Sequence, residues 1–220
     1  MNTNISAGPS LLASPSPDKP SGLAGQFRRP TGALGWAIGH LMAVKNEGMN
    51  RLAVELLEVQ PEDQVLEIGF GPGRAIRMLA ARATGGFVAG VDLSEVMVKQ
   101  AAKRNRKLIE AGRVELKQGG VSTLPYEYGR FTKVCAVNNY QLWPSQEHDL
   151  DEVRRVMKAG GLLVLCLRMK HPSRNFLVAP GFTEEEVEEV QGLVRWVGFH
   201  NVRTERRRLG REVTCVLANR

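Results

Sequence analysis

Seven short strand-like runs, the first six set among amphipathic helical stretches, predict an α/β fold: a seven-stranded mixed sheet, mostly parallel, with helices on both faces and an antiparallel hairpin at its C-terminal end. Three observations carry that prediction. Helical and strand periods take turns from Gly32 onward, as they do in successive βα units. The last two strand-like runs are separated only by Leu209 and Gly210, with no room for a helix between them. The first strand breaks directly into alternate glycines, as strands do when their carboxyl ends face a ligand.

The elements follow in order. Residues 1–24, rich in Ser, Pro, Gly and Asn without periodic apolar positions, read as a flexible N-terminal tail. Residues 25–46 form an N-terminal helical segment, with Leu34, Ile38, Leu41 and Met42 on one face, and residues 47–220 form the main domain. Asn46 is placed to cap a helix bearing Met49, Leu52, Ala53, Leu56 and Leu57; Pro61 ends it and Gln64 opens the first strand. A helix over 74–83, the turn Thr84, Gly85, Gly86 and a strand from Phe87 to Val91 come next. Ser94 caps a helix carrying Val98, Ala101, Ala102, Asn105 and Ile109. Val114 to Lys117 and Lys133 to Val137 are the third and fourth strands. Ser145 begins a helix with Leu150, Val153 and Val156, which Gly160 and Gly161 stop ahead of the most apolar strand, Leu162 to Leu167. Thr183 and Glu186 form a capping box before Val187, Val190, Val194 and Val197, and the hairpin runs Asn201 to Arg207 and Glu212 to Leu217 close the chain.

Composition narrows the functional classes. At 220 residues the chain can bury a full sheet without disulfide support, and Cys135, Cys166 and Cys215 sit in apolar runs without CxxC or Cys/His spacing, as core residues do. No metal-ligating pattern is present. No run approaches the roughly 18 apolar residues of a membrane span, and the first residues lack the pattern of a secretory signal, so a cytoplasmic protein with no membrane segment is expected. The net charge is +7. Lys99, Lys103, Arg104, Arg106 and Lys107 crowd one helix and Arg203, Arg206, Arg207, Arg208 and Arg211 crowd the hairpin, which keeps a nucleic acid partner open.

Residues 65–74 read VLEIGFGPGR. An acid, Glu67, stands two residues before Gly69, Gly71 and Gly73, and Arg74 occupies the place where a dinucleotide fingerprint needs its third glycine. A carboxylate beside bare backbone suits a ligand with a cationic end. Asp92, at the end of the next strand, can accept from both hydroxyls of a ribose.

With this (E/D)xGxGxG run and the acid after the second strand, the sequence resembles the class I S-adenosylmethionine-dependent methyltransferases, in particular type 11-like small-molecule members, over roughly residues 47–218. The resemblance implies a Rossmann-like fold, S-adenosyl-L-methionine as cofactor and methyl transfer as the activity. It implies that Glu67 and the backbone of Gly69, Phe70, Gly71 and Gly73 hold the amino acid end, that Asp92 holds the ribose, and that Leu93 and Met97 flank the adenine. The family's GD pair ahead of LP reads QGGVSTLP here, so Gly120 takes the acidic place; Val121 is left with its backbone N–H and Ser122 with its hydroxyl. The resemblance also places Asn138, first residue of the NNYQLWP loop, against the amino acid end of the cofactor.

The acceptor side is less defined. By position after the fourth strand, Asn139, Gln141 and Trp143 are substrate candidates and Tyr140 a catalytic one. His40 and His171 are the other candidate bases, and small-molecule members of the family lead one to expect a lid from residues 25–46, with Phe27, Trp36 and Met42 facing a small-molecule acceptor. The loop shares Asn and Tyr with the NPPY loops of amino-methylating enzymes but lacks their prolines, and Cys135 lies inside a strand rather than in a nucleophile loop. An RNA methyltransferase using the basic surface is the alternative, against which the few aromatics weigh. An NAD-dependent oxidoreductase and a non-catalytic cofactor-binding module are the remaining rivals. Oligomeric state is not encoded in any of these motifs.

Overall fold

The computed structural model describes residues 46–170 and 181–220. The expected tail, the helical segment up to Lys45 with Phe27, Trp36, His40 and Met42, and His171 lie outside the described residues.

One sheet holds seven strands, β1 (Gln64–Ile68), β2 (Phe87–Asp92), β3 (Val114–Gln118), β4 (Phe131–Val137), β5 (Met157–Arg168), β6 (His200–Arg208) and β7 (Glu212–Asn219), in the order β3-β2-β1-β4-β5-β7-β6. The first five are parallel, while β7 runs antiparallel to β5 and pairs antiparallel with β6. The helices are α1 (Glu47–Leu56), α2 (Arg74–Arg82), α3 (Glu95–Glu110), α4 (Gln146–Val156) and α5 (Glu184–Trp196). Strand order reverses at β1, whose neighbours are β2 and β4, so a crevice opens beyond its carboxyl end.

Side chains alternate across each strand, and the sequence puts apolar residues on both faces. Val65, Val88, Cys135 and Val164 meet Leu52 of α1, Ile76 and Leu79 of α2, and Ala101 of α3. On the other face Leu66, Ala89, Val134 and Leu163 meet Leu150 and Val153 of α4 and Val187, Val190 and Val194 of α5. Each large aliphatic side chain so buried contributes about 1.5–3 kcal/mol.

The architecture matches the sequence expectation, with three local differences. Gly160 and Gly161 do not stop α4, which ends at Val156; Met157 is already paired with Phe131, and the register then shifts so that Lys133 faces Leu162. Strand pairing captures Met157, and the glycines form the bulge that results, Gly160 at φ 75°. Asn46 stands at the N-cap position of α1 without a side-chain cap bond, because its Oδ1 instead takes the amide of Asn138 at 3.4 Å. The cysteines, read from sequence as three separate core residues, are all buried, but Cys166 and Cys215 face one another across β5 and β7 and form a disulfide. Among the described residues Cys135 alone remains a free thiol.

Ahead of α5 the capping box is complete. Thr183 Oγ1 accepts from Glu186 N at 3.2 Å, and Glu186 Oε2 accepts from Thr183 N at 2.7 Å. Thr183→Ala removes one half of it and should lower the unfolding free energy by about 1 kcal/mol in urea denaturation.

Candidate functional site

A cavity of about 240 Å³ lies beyond the carboxyl ends of β1, β2 and β4, at the point where strand order reverses. Glu67 to Pro72 form its floor, Asp92, Leu93 and Met97 one side, Gly119 to Ser122 the far end, and Asn138, Asn139 and Leu142 to Pro144 the opposite wall. Asn46, at the N-cap position of α1, and Asn50 within the helix complete the lining.

The turn after β1 is shaped by its glycines. Gly71, at φ 52°, has nothing within 4 Å of where a Cβ would stand, so that point is open to a ligand lying against the backbone. At Gly73, φ 74°, a Cβ would come 2.6 Å from Ala101 Cβ. Gly73 therefore faces α3 rather than the cavity, and lets the two helices approach.

Both cavity acids are set by the strands. Glu67 is 2 % exposed, its Oε2 has no hydrogen-bond partner, and burial followed by the neighbouring Asp92 pushes its carboxyl up to about 8 against one N–H from Ile76. Asp92 accepts from Gly71 N through Oδ2 at 2.8 Å and from Ser94 N through Oδ1 at 2.9 Å. Burial raises its carboxyl, and those N–H groups of Ser94 and Gly71 work in the opposite direction. No Lys or Arg lines the cavity, and Glu67 and Asp92 are its ionisable side chains among the described residues. Two acids without a cation disfavour a pyrophosphate and favour a positively charged ligand. An orphaned, buried carboxylate aimed at a site whose floor is bare backbone fits the ammonium of S-adenosylmethionine.

At the far end, Leu93 is 49 % exposed and a Cβ on Gly120 would stand 3.2 Å from its Cδ2. Glycine at 120, in the place of the family's acid, thus makes room for Leu93. Leu93, buried Met97 and Val121 form an apolar slot there, with Ser122 beside it.

The β4 loop is organised differently from the sequence expectation. Asn138 lines the cavity at φ 55°, a left-handed conformation that Asn tolerates better than most residues; its N–H bonds Cys166 O at 2.8 Å and its Oδ1 has no partner. Asn139 donates to Ile68 O at 2.6 Å and accepts from Trp143 Nε1 at 3.1 Å, so its amide clamps the β1 turn and fixes the Trp143 wall. Tyr140, expected as a catalytic group, does not line the cavity. The short 3-10 turn of residues Tyr140–Leu142 directs its ring into the core, 5.0 Å from the Trp143 ring and 6.3 Å from that of Phe182, and burial raises its hydroxyl further from titration. Gln141 also stays outside the lining and donates to Asn138 O at 3.2 Å. Trp36, His40 and His171 lie outside the described residues.

Asn50 is a polar lining residue that the sequence reading missed, as is Asn46, read there only as a helix cap. Asn50 is 9 % exposed on the otherwise apolar face of α1, one turn from Asn46. A carboxamide interrupting an apolar helical stripe was the available signal.

The chain matches the model of the family described as "Methyltransferase domain" over residues 65–161. It is 32 % identical over 130 residues to the "Uncharacterized methyltransferase YdaC" of Bacillus subtilis (strain 168), covering 59 % of this chain and 70 % of that one. With the 27-O-demethylrifamycin SV methyltransferase of Amycolatopsis mediterranei (strain S699) it shares 32 % identity over 175 residues, covering 77 % of this chain and 62 % of the relative's length. A SAM-dependent methyltransferase crystal structure from Aquifex aeolicus has the same fold, with TM-score 0.63 at 20 % identity over 77 % of this chain and 88 % of that chain.

Burial of Glu67 carries a stability cost whose sign is fixed. Its folded value of about 8 exceeds the ordinary 4.5, so the folded state holds the proton more tightly and stability declines as pH rises from about 4.5 towards 8. Glu67→Gln removes that decline. In denaturant titrations the variant should be more stable than wild type at about pH 8, by on the order of 2–4 kcal/mol, with the difference vanishing below about pH 4.

Proposed function

The chain belongs to the class I S-adenosylmethionine-dependent methyltransferases, and from that premise we propose that it transfers the methyl group to a small-molecule acceptor entering over Asn138 and Trp143. The observation that carries the acceptor reading is the confined cavity, lined by α1 and walled by Val137, Leu142, Trp143 and Pro144 with a few carboxamides, a composition suited to small organic molecules. Among the described residues no basic side chain lines the cavity, and Lys99 and Arg106 of α3 pair with Glu95 and Glu110, which favours this reading over a nucleic-acid acceptor. The rifamycin-methylating relative is named for a small organic acceptor, which agrees with this reading.

S-adenosylmethionine, when bound, supplies a methyl group on positively charged sulfur. Glu67 would receive the ammonium, with Asn138 Oδ1 as a second acceptor at that end. The lone pairs of Asp92 left by Gly71 and Ser94 would take the ribose hydroxyls, and Leu93, Met97 and Val121 would flank the adenine. Trp143, pinned through Asn139, gives the acceptor a fixed wall and keeps water out. Alignment of this kind contributes several kcal/mol without covalent participation. Since Tyr140 is turned into the core, a proton-removing base would have to be His40, His171 or the acceptor's own surroundings rather than the β4 loop.

Incubation with radiolabelled cofactor and parallel pools of small molecules and RNA tests the acceptor class: label should enter the small-molecule pool, and label in RNA alone sinks the reading. Tyr140→Phe should keep turnover within about twofold, because it removes a buried hydroxyl that has no partner. Glu67→Gln should weaken cofactor binding at least tenfold in calorimetry, through loss of a charged hydrogen bond worth about 1.5–3 kcal/mol.

A further inference from the structure

S-adenosylmethionine carries an ammonium and a carboxylate on one carbon, so whatever holds the carboxylate must stand beside the group that holds the ammonium. The cavity meets the first charge with Glu67 and offers no Lys or Arg for the second among the described residues. The N–H groups of the three alternate glycines are already taken: Gly69 N bonds Val91 O at 2.8 Å, Gly71 N bonds Asp92 Oδ2 at 2.8 Å and Gly73 N bonds Phe70 O at 3.0 Å. The Asn139 amide is engaged on Ile68 O.

The start of α1 supplies a further donor. Glu47 pairs at 2.5 Å with Arg74, the residue that follows the glycine turn, and Asn46 takes the amide of Asn138 on the β4 loop at 3.4 Å. These anchors tie α1 to the β1 and β4 side of the cavity, away from Leu93 and Gly120 at the far end. Asn50 N bonds Asn46 O at 2.9 Å, so Asn50 follows one turn later and enters the lining at the end where Glu67 and Asn138 stand. It is 9 % exposed, and its carboxamide has no hydrogen-bond partner among the described residues. A polar group so buried disfavours the folded state unless a ligand completes it. An Arg or Lys at this place would pair with Glu67 and cancel the charge that selects the ammonium, whereas a carboxamide donates without competing for it.

We propose that Asn50 donates from Nδ2 to the carboxylate of the bound cofactor, beside the ammonium held by Glu67. The assignment rests on the cofactor orientation given above and is independent of which acceptor is methylated. It makes α1 part of the binding site as well as a layer of the core.

Calorimetry on the full chain compares S-adenosylhomocysteine with decarboxylated S-adenosylhomocysteine, which keeps the ammonium. Wild type should bind the intact ligand about tenfold more tightly or better, the worth of a hydrogen bond to a charged group. Asn50→Ala should remove about that factor for S-adenosylhomocysteine, and Asn50→Asp should weaken it further by placing like charges together. The decarboxylated ligand should stay within about twofold of wild type in Asn50→Ala, and that retained binding also reports that the variant is folded. Equal loss for both ligands in Asn50→Ala, no loss for either, or a wild type indifferent to the carboxylate overturns the assignment. Glu67→Gln separates it from the orientation beneath it, since both ligands carry the ammonium and both should bind more weakly. If Glu67→Gln weakens neither, the orientation is wrong and the Asn50 assignment falls with it; an Asn50 failure with the Glu67 effect intact overturns the assignment alone.

Discussion

Everything at this site depends on how the turn after β1 is held. Phe70 anchors that turn in the core, and the glycine backbone that faces the cavity is held by the strands on either side. From β2, Asp92 accepts the Gly71 N–H at 2.8 Å; from the β4 loop, Asn139 donates to Ile68 O at 2.6 Å. Gly69 is required by the second clamp, since a Cβ there would lie 2.2 Å from Asn139 Nδ2. Both clamps reach β1 because β2 and β4 are its two neighbours, so the switch in strand order is what allows a bare-backbone floor to be rigid. Asp92 serves in both capacities: its Oδ2 holds the floor through Gly71, its Oδ1 takes the Ser94 N–H, and its side chain lines the cavity.

Glu67 shows the other side of the same arrangement. A carboxylate buried to 2 % exposure, with one oxygen unpartnered and a second acid nearby, disfavours the folded state. The compensation is the two-faced apolar core, which Val65, Leu66 and Ile68 anchor on the same strand. Stability is given up at one residue of β1 and recovered at its neighbours, and the charge left wanting a partner becomes the preference for a cationic ligand.

The half of the site that depends on local sequence could be read in advance. VLEIGFGPGR and Asp92 lie close together in sequence, so spacing alone located both acids and the glycine turn that line the cavity. The β4 loop could be located but not oriented: that Asn139 would bond Ile68 O and Trp143, and Tyr140 turn into the core, depends on a left-handed Asn138 and a three-residue 3-10 turn, neither of which has a distinctive composition. Boundaries set by pairing were likewise hidden. Met157 joins β5 because Phe131 lies beside it, a partner 26 positions away that overrides the glycine stop signal. The Cys166 and Cys215 pairing rests on the β5 and β7 register, 49 residues apart in sequence, and no spacing rule reports it.

Glu67 and Asp92 are the ionisable side chains of the cavity among the described residues, and their charge bears on release as well as on recognition. Glu67 and Asp92 favour a cationic donor over the neutral thioether that remains after the methyl group has left, because the Coulomb attraction disappears with the sulfonium charge. An ammonium held by Glu67 would stay engaged in either case, so a change in affinity would have to come from the rest of the lining, which apart from Asp92 is apolar side chains, carboxamides, Ser122 and glycine backbone. Discrimination between donor and product would then be modest. Turnover is served by that weakness: a site that held the sulfonium with a directly paired acid would stabilise the ground state as much as the transition state, and the binding energy would not accelerate transfer.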